Sequence, residues 1–170
     1  MKKYPVPAAF KSSIGFDDVH QYQLVRESAE HDSNSYWESV AERIDWFEKW
    51  TDINKTDFHQ SHIEWFSNGK LNASYNCLDR HIKNGLGDKT ALIWQSNDPN
   101  ISKEVSYKEL LQKVSQFANG LKKANIQKGD RVCIYMQMIP EAILAMLVCA
   151  KIGAVHSVVF GAFSSDALKN

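Results

Sequence analysis

Cysteine is scarce in this chain. Cys77, Cys133 and Cys149 are its only three, widely spaced, and the last two lie in apolar runs where a thiol behaves as a small hydrophobe. That usage fits a reduced, cytoplasmic setting. An excess of charge of either sign is missing too, with 20 Lys+Arg against 20 Asp+Glu, so nothing draws the chain generally to nucleic acid or to an anionic membrane, and neither is expected as a partner. Long apolar runs are absent. The nearest, Ala142 to Ala150, is well short of the roughly 20 residues that cross a bilayer. The opening "MKKYPVPAAFKSS" has two lysines but no apolar stretch behind them and does not read as a secretory signal.

Several chemical signatures are lacking as well. No G-x-x-x-x-G-K-[ST] can be drawn through any of the eight glycines. "GLG", Gly85 to Gly87, has Thr90 where a third glycine belongs, and it stands between a helix and a strand in the wrong order for a dinucleotide cradle, so it reads as a turn. His59 and His62 lie three apart with no further ligand at a supporting spacing, which suits two surface histidines better than a metal pair. Cys77 and His81 stand at i, i+4, the spacing of a thiol and its base, but nothing beside them marks an oxyanion site. His156, inside an apolar strand, reads as a buried histidine bonded to a neighbour.

What is present is a change of pattern along the chain. Residues 1 to about 29 show no sustained period and read as an irregular arm. From Ser35, the spacing of Trp37, Val40, Ala41, Ile44 and Phe47 predicts one helix face, extended by Trp46 and Trp50, with Ser33, Asn34 or Ser35 as the cap and the tryptophans packed in a core. Tyr75, Leu78 and Ile82 predict a helix between Asn72 and Asn84, closed by Gly85. "TALIWQ", Thr90 to Gln95, is a short strand followed by a hairpin-like turn at Asn97, Asp98 and Pro99. "SYKE", Ser106 to Glu109, is a capping box that opens a helix with Leu110, Leu111, Val114, Phe117, Ala118 and Leu121 inward. "RVCIYMQ" is the next strand. Pro140 opens a helix that is apolar almost all round and closes at Gly153, and "VHSVVF", Val155 to Phe160, is a third strand.

Strand, helix, strand, helix, strand with short connections predicts parallel pairing, in a sheet covered on both faces. The expected fold class is therefore α/β: an irregular and helical N-terminal segment (residues 1–87), then an incomplete α/β subdomain (residues 88–170). The latter is the first βαβαβ part of a larger, mostly parallel doubly wound sheet. In such sheets ligands bind outside the carboxyl ends of the strands. "FGAFSS" is such an end: Gly161 permits a close backbone approach, and Ser164 or Ser165 caps the helix that follows. Without a ligand the same residues make a tight turn with a serine cap, and the residues alone leave both readings open.

Three long blocks, "SYWESVAERIDWFEKW" (Ser35 to Trp50), "WFSNGKLNASYNCLDRHI" (Trp65 to Ile82) and the run from Phe117 to Leu168, resemble the beginning of the acetyl-coenzyme A synthetases, of the acyl-adenylate-forming ligases. "DRH" and "IGAVHSVVFG" are shared with the propionyl-CoA synthetases, whereas "KLNASYN" and "MIPEA" favour the acetyl branch. The resemblance implies a ligase that makes acetyl-adenylate from acetate and Mg-ATP and then acetyl-CoA, with ATP, Mg2+ and coenzyme A as cofactors and substrates. The phosphate loop, the nucleotide contacts and the catalytic lysine of that family fall beyond Asn170, so no catalytic or metal residue is assigned. Only one site carries over. Phe160, Gly161, Ala162, Phe163 and Ser164 match a family motif F-G-G-F-S that lines the coenzyme A channel, and Ala162 departs from it. The chain is thus expected to be the front piece of such a ligase, inactive alone, with the remaining chain as its partner. The alternatives are a self-standing binding or regulatory module and a fragment of a propionyl-CoA synthetase. A sheet edge left uncovered at the cut would either self-associate or be covered by residues 1–29.

Overall fold

The computed structural model describes Pro7, Phe10, Gly15 and residues 19–169, without the side chains of Ala167 and Leu168. These residues divide into two compact units, one reaching to Ile44 and taking in Lys49–Gly69, the other made of Asp45–Glu48 and the chain from Lys70 onward.

The first unit starts with helices α1 (Val19–His31) and α2 (Ser33–Ala41). Much of the expected irregular arm lies outside the described residues, but residues 19–31 correct it: they are helical. None of them is buried, so no apolar period betrays the helix. Good helix formers and the Arg26–Glu30 pair at 2.9 Å support it instead. The cap of α2 is Asp32, outside the three candidates: its carboxylate accepts the Ser35 amide at 3.0 Å and the Ser35 hydroxyl at 2.7 Å. These bonds hold the Asp32 carboxyl below the usual carboxylate range. After Ala41 the chain tightens, with Arg43 and Ile44 donating back to Val40 and Ala41, and the helix expected to reach Trp50 ends. An antiparallel pair follows, β1 (Asp52–Asn54) with β2 (Trp65–Ser67). The tryptophans are not core residues as expected: Trp37 is 41% exposed and Trp46 and Trp50 are only half-buried. Their ring contacts come from separate elements, Trp37 meeting Trp65 edge-on at 5.9 Å and Trp50 meeting Phe66 at 5.2 Å.

In the second unit Asn76 explains why the backbone past Ile44 is not helical. Its side chain accepts the Asp45 amide at 2.7 Å and donates to the Asp45 carbonyl at 2.9 Å, replacing the bonds a helix would supply. Asn76 belongs to a π-helical turn, Tyr75–Asp79, that runs into α3 (Arg80–Lys83) and ends at Gly85 with φ 80°. Asn72 anchors the start of this turn. It accepts the Tyr75 amide at 3.0 Å and donates to the carbonyls of Ala150 and Lys151, at the last turn of a later helix.

Strand β3 (Thr90–Gln95) does not pair in parallel with the strands after it. It pairs antiparallel with β4 (Ser102–Ser106). The connection between them is far shorter than the dozen or so residues a parallel crossover needs, so a hairpin is the permitted geometry. Strand β4 is nearly all polar, with only Val105 turned into the core, which is why no strand is legible there. The expected βαβαβ run therefore reduces, among the described residues, to one parallel pair. This is β5 (Arg131–Met136) beside β6 (Val155–Phe160), joined through α5 (Pro140–Ile152).

Helix α4 (Tyr107–Lys123) precedes that pair. Its cap is half the expected box: Ser106 Oγ accepts the Glu109 amide at 3.2 Å, but Glu109 turns to Lys113 at 2.7 Å instead of reaching back. The Lys113 ammonium holds the Glu109 carboxyl below its ordinary value. Ser106→Ala is expected to cost about 1 kcal/mol, the usual loss for a cap. A thermal midpoint equal to the parent's would show that the hydroxyl contributes nothing.

Among the described residues two apolar clusters fill this unit. Leu78, Val105, Leu110, Val114, Ala118 and Val148 form one, and Ile134, Ala145, Cys149 and Ala154 the other. Helix α5 serves both, through Val148 and Cys149, so its nearly continuous apolar surface has a use on each side. Lys151 at its end pairs with Asp79 at 3.1 Å, half-buried. Gly153 closes it with φ 77°. Burial pushes the Cys149 thiol above its ordinary pKa, whereas Cys133 is exposed and does not act as a core hydrophobe.

Strand β6 is not buried. Val158 is 52% and Phe160 57% exposed, and His156, expected in a core, is exposed as well. Among the described residues β6 has a neighbour on one side only, and α5 packs its core residues against Ile134 of β5.

Candidate functional site

The carboxyl ends of β3, β5 and β6 meet at an open cleft of about 580 Å³. Strand β3 and its turn contribute Trp94, Gln95, Ser96 and Asn97. Residues Gln137, Met138 and Ile139 follow β5, and Phe160, Gly161 and Ala162 close β6. The three residues singled out in the sequence thus stand together on one wall. The other seven lining residues were not. The signal that finds them is the rule already applied to β6, extended to every strand end in the unit.

The wall at β6 is held from β5. An added Cβ on Gly161 would lie 3.1 Å from the Met136 carbonyl carbon and oxygen and 3.2 Å from the Gln137 nitrogen, so any larger residue would press this backbone apart by a few tenths of an ångström, and glycine allows the close approach without that. The turn closes with the Phe163 amide on the Phe160 carbonyl at 3.0 Å. Phe160 and Phe163 meet edge-on at 6.4 Å. Ala162 is exposed and is not among the residues with positive φ, so its methyl enters this turn without left-handed strain. The opposite wall is tied across: Trp94 Nε1 donates to the Met138 carbonyl at 2.9 Å. Gln95 is committed to its own loop, donating to the carbonyls of Asp98 at 3.1 Å and Ile101 at 2.9 Å.

Among the described residues no charged side chain lines the cleft. Amide, hydroxyl, aromatic and thioether groups suit an extended, uncharged ligand segment with amide and apolar parts, and offer no cation to a phosphate. Ser165 begins the short helix α6 (Ser165–Lys169), so Ser164 stands just before it.

The other sequence candidates do not come together as sites. Cys77 is exposed on the π-helical turn, and the His81 ring lies against Tyr107, centroids 5.0 Å apart. His62 Nε2 bonds Glu64 at 3.1 Å, while His59 sits in a 3-10 turn whose amides are capped by Asp57. Among the described residues no group of three His, Cys, Asp or Glu side chains could hold a metal ion. No described helix is long and apolar enough to cross a membrane.

The family model "AMP-binding enzyme" matches residues 78–170, and "Acetyl-coenzyme A synthetase N-terminus" matches residues 22–77. The chain belongs to the AMP-binding enzyme family. Within it the likeness is to acetyl-coenzyme A synthetases. It is 47% identical to that of Magnetococcus marinus over 100% of this chain and 26% of the relative. Against acetyl-coenzyme A synthetase 2 of Pseudomonas putida it is 45% identical, again over 100% of this chain and 26% of the relative. The Rhizobium meliloti enzyme is 48% identical over 99% and 26%. The chain therefore spans about a quarter of the length of these relatives. The two family-model matches on this chain meet at residues 77 and 78, inside the π-helical turn.

Proposed function

We propose that this AMP-binding family chain is the N-terminal part of a cytoplasmic acetate–CoA ligase. That ligase joins acetate to the α-phosphate of ATP, releasing pyrophosphate, and then lets the thiol of coenzyme A displace AMP to give acetyl-CoA. The observation that carries the proposal is the identity of 45–48% to acetyl-coenzyme A synthetases along essentially the whole chain. The cleft supports a definite part for these residues. Its uncharged wall at Phe160, Gly161 and Ala162 would flank the amide-bearing arm of coenzyme A, orienting the thiol and shielding its path from water. Magnesium and the triphosphate require acidic and cationic groups that this wall does not supply, and in this proposal the rest of the ligase holds them. The same larger chain would extend the β5–β6 pair into the doubly wound parallel sheet and cover the exposed β6.

Acetate-dependent exchange between ATP and pyrophosphate tests this. The protein expressed from its complete coding frame is expected to catalyse exchange, and the 170-residue chain alone is expected to give none. Exchange by the isolated chain would overturn its proposed inactivity. No exchange by the complete protein, with acetate or propionate, would overturn the ligase.

A further inference from the structure

Tyr135 stands in β5, paired in register with Val159 of β6, and the residue is 45% exposed. Its hydroxyl reaches past the end of β6. It donates to the Phe163 carbonyl at 2.7 Å, with the Gly161 carbonyl at 3.3 Å as a longer second acceptor. Gly161 is already pressed against the backbone of Met136 and Gln137. The turn that forms the β6 wall of the cleft is thus pinned at both ends from β5: by backbone contact at Gly161 and by a phenol at Phe163. Ala162, the residue between them, is exposed into the cleft.

We propose that Tyr135 is a positioning residue for the thiol substrate: its hydroxyl fixes the Gly161–Phe163 turn so that the wall at Gly161 and Ala162 is preorganised for the ligand. This rests on the reading of that wall as part of the coenzyme A path. The phenol is exposed and its acceptor is a carbonyl that water can satisfy, so removing the hydroxyl leaves no buried group unpaired. What is lost is the fixed place of the turn. A ligand that must first order a loose wall binds more weakly, while a reaction at another site is untouched.

The test uses the complete ligase with Tyr135→Phe and, separately, Ala162→Leu. For Tyr135→Phe, the KM for coenzyme A is expected to rise about three- to ten-fold, the span of one net hydrogen bond. Acetate-dependent ATP–pyrophosphate exchange and the thermal midpoint should stay at parent values. Hydrogen exchange at the Phe163 amide should quicken in Tyr135→Phe, while that of α5 does not change. Ala162→Leu, which crowds the wall, should also raise the KM for coenzyme A. If Ala162→Leu raises that KM and Tyr135→Phe does not, the positioning role fails and the wall assignment survives. If Ala162→Leu has no effect, the wall assignment fails and the proposal with it. Loss of both half-reactions in Tyr135→Phe would mark a general structural role and overturn positioning.

Discussion

Leu78→Ala is expected to lower the unfolding free energy by about 2–5 kcal/mol, the range for truncating a buried leucine. Leu78 is 1% exposed and stands at the centre of the larger cluster, against Val105 of β4, the inward face of α4 and Val148 of α5. Its neighbours have little freedom to close the gap. Leu78 lies on the π-helical turn that Asn72 and Asp79 tie to the last turn of α5, and β4 is held by its pairing with β3. Since domains are stable by only about 5–15 kcal/mol, the loss is a large fraction of the total. Urea denaturation should show a lower midpoint with an unchanged slope. A loss below about 1 kcal/mol would mean that the cluster collapses around the missing methyls, contrary to the anchoring described.

Gly161→Ala should change function most. Carbon atoms in contact sit about 3.5–4.0 Å apart, and the new Cβ would come to 3.1 Å from the Met136 carbonyl carbon. The obstacle is backbone, and Met136 is itself paired with Phe160, the residue before the glycine. Either the last rung of the β5–β6 pair opens or the turn swings outward. Overpacking of this kind costs about 1–3 kcal/mol of stability. The backbone has to give by only a few tenths of an ångström, so in the proposed ligase the coenzyme A-dependent step is expected to fall about ten-fold, short of the roughly hundred-fold loss of a full ångström's misplacement. Acetate-dependent ATP–pyrophosphate exchange should persist. Coenzyme A kinetics equal to the parent's would remove this wall from the reaction path.

Some of the architecture was legible because its signals act within one turn of chain. Ser106 three residues before Glu109, Pro140 at a first helical position and Gly153 at a last one each act on backbone groups no more than four residues away. The boundaries of α4, α5, β5 and β6 follow closely from them. Helix α2 shows how a local pattern fails. Trp37 to Trp50 keeps a helical period, yet the bonds that hold Asp45 come from Asn76, 31 residues on. Helix α1 fails in the opposite sense: with no residue buried it has no apolar face for a period to mark.

The candidate site divides in the same way. Phe160, Gly161 and Ala162 could be named because a glycine at the end of an apolar strand is a local feature. Trp94 and Met138, 44 residues apart, share the cleft only because the indole bridges two strand ends. The sequence by itself therefore determined the elements from residue 106 onward, the α/β character of this region and the family likeness. Only the tertiary structure decided that β3 turns back on a polar β4, that α5 feeds two clusters, and that three strand ends converge on one uncharged cleft. The physical reason is range. Caps and periodicity stabilise a segment through its own neighbours, while strand partners and cleft walls are chosen by contacts whose members are distant in the chain and carry no mark until the fold brings them together.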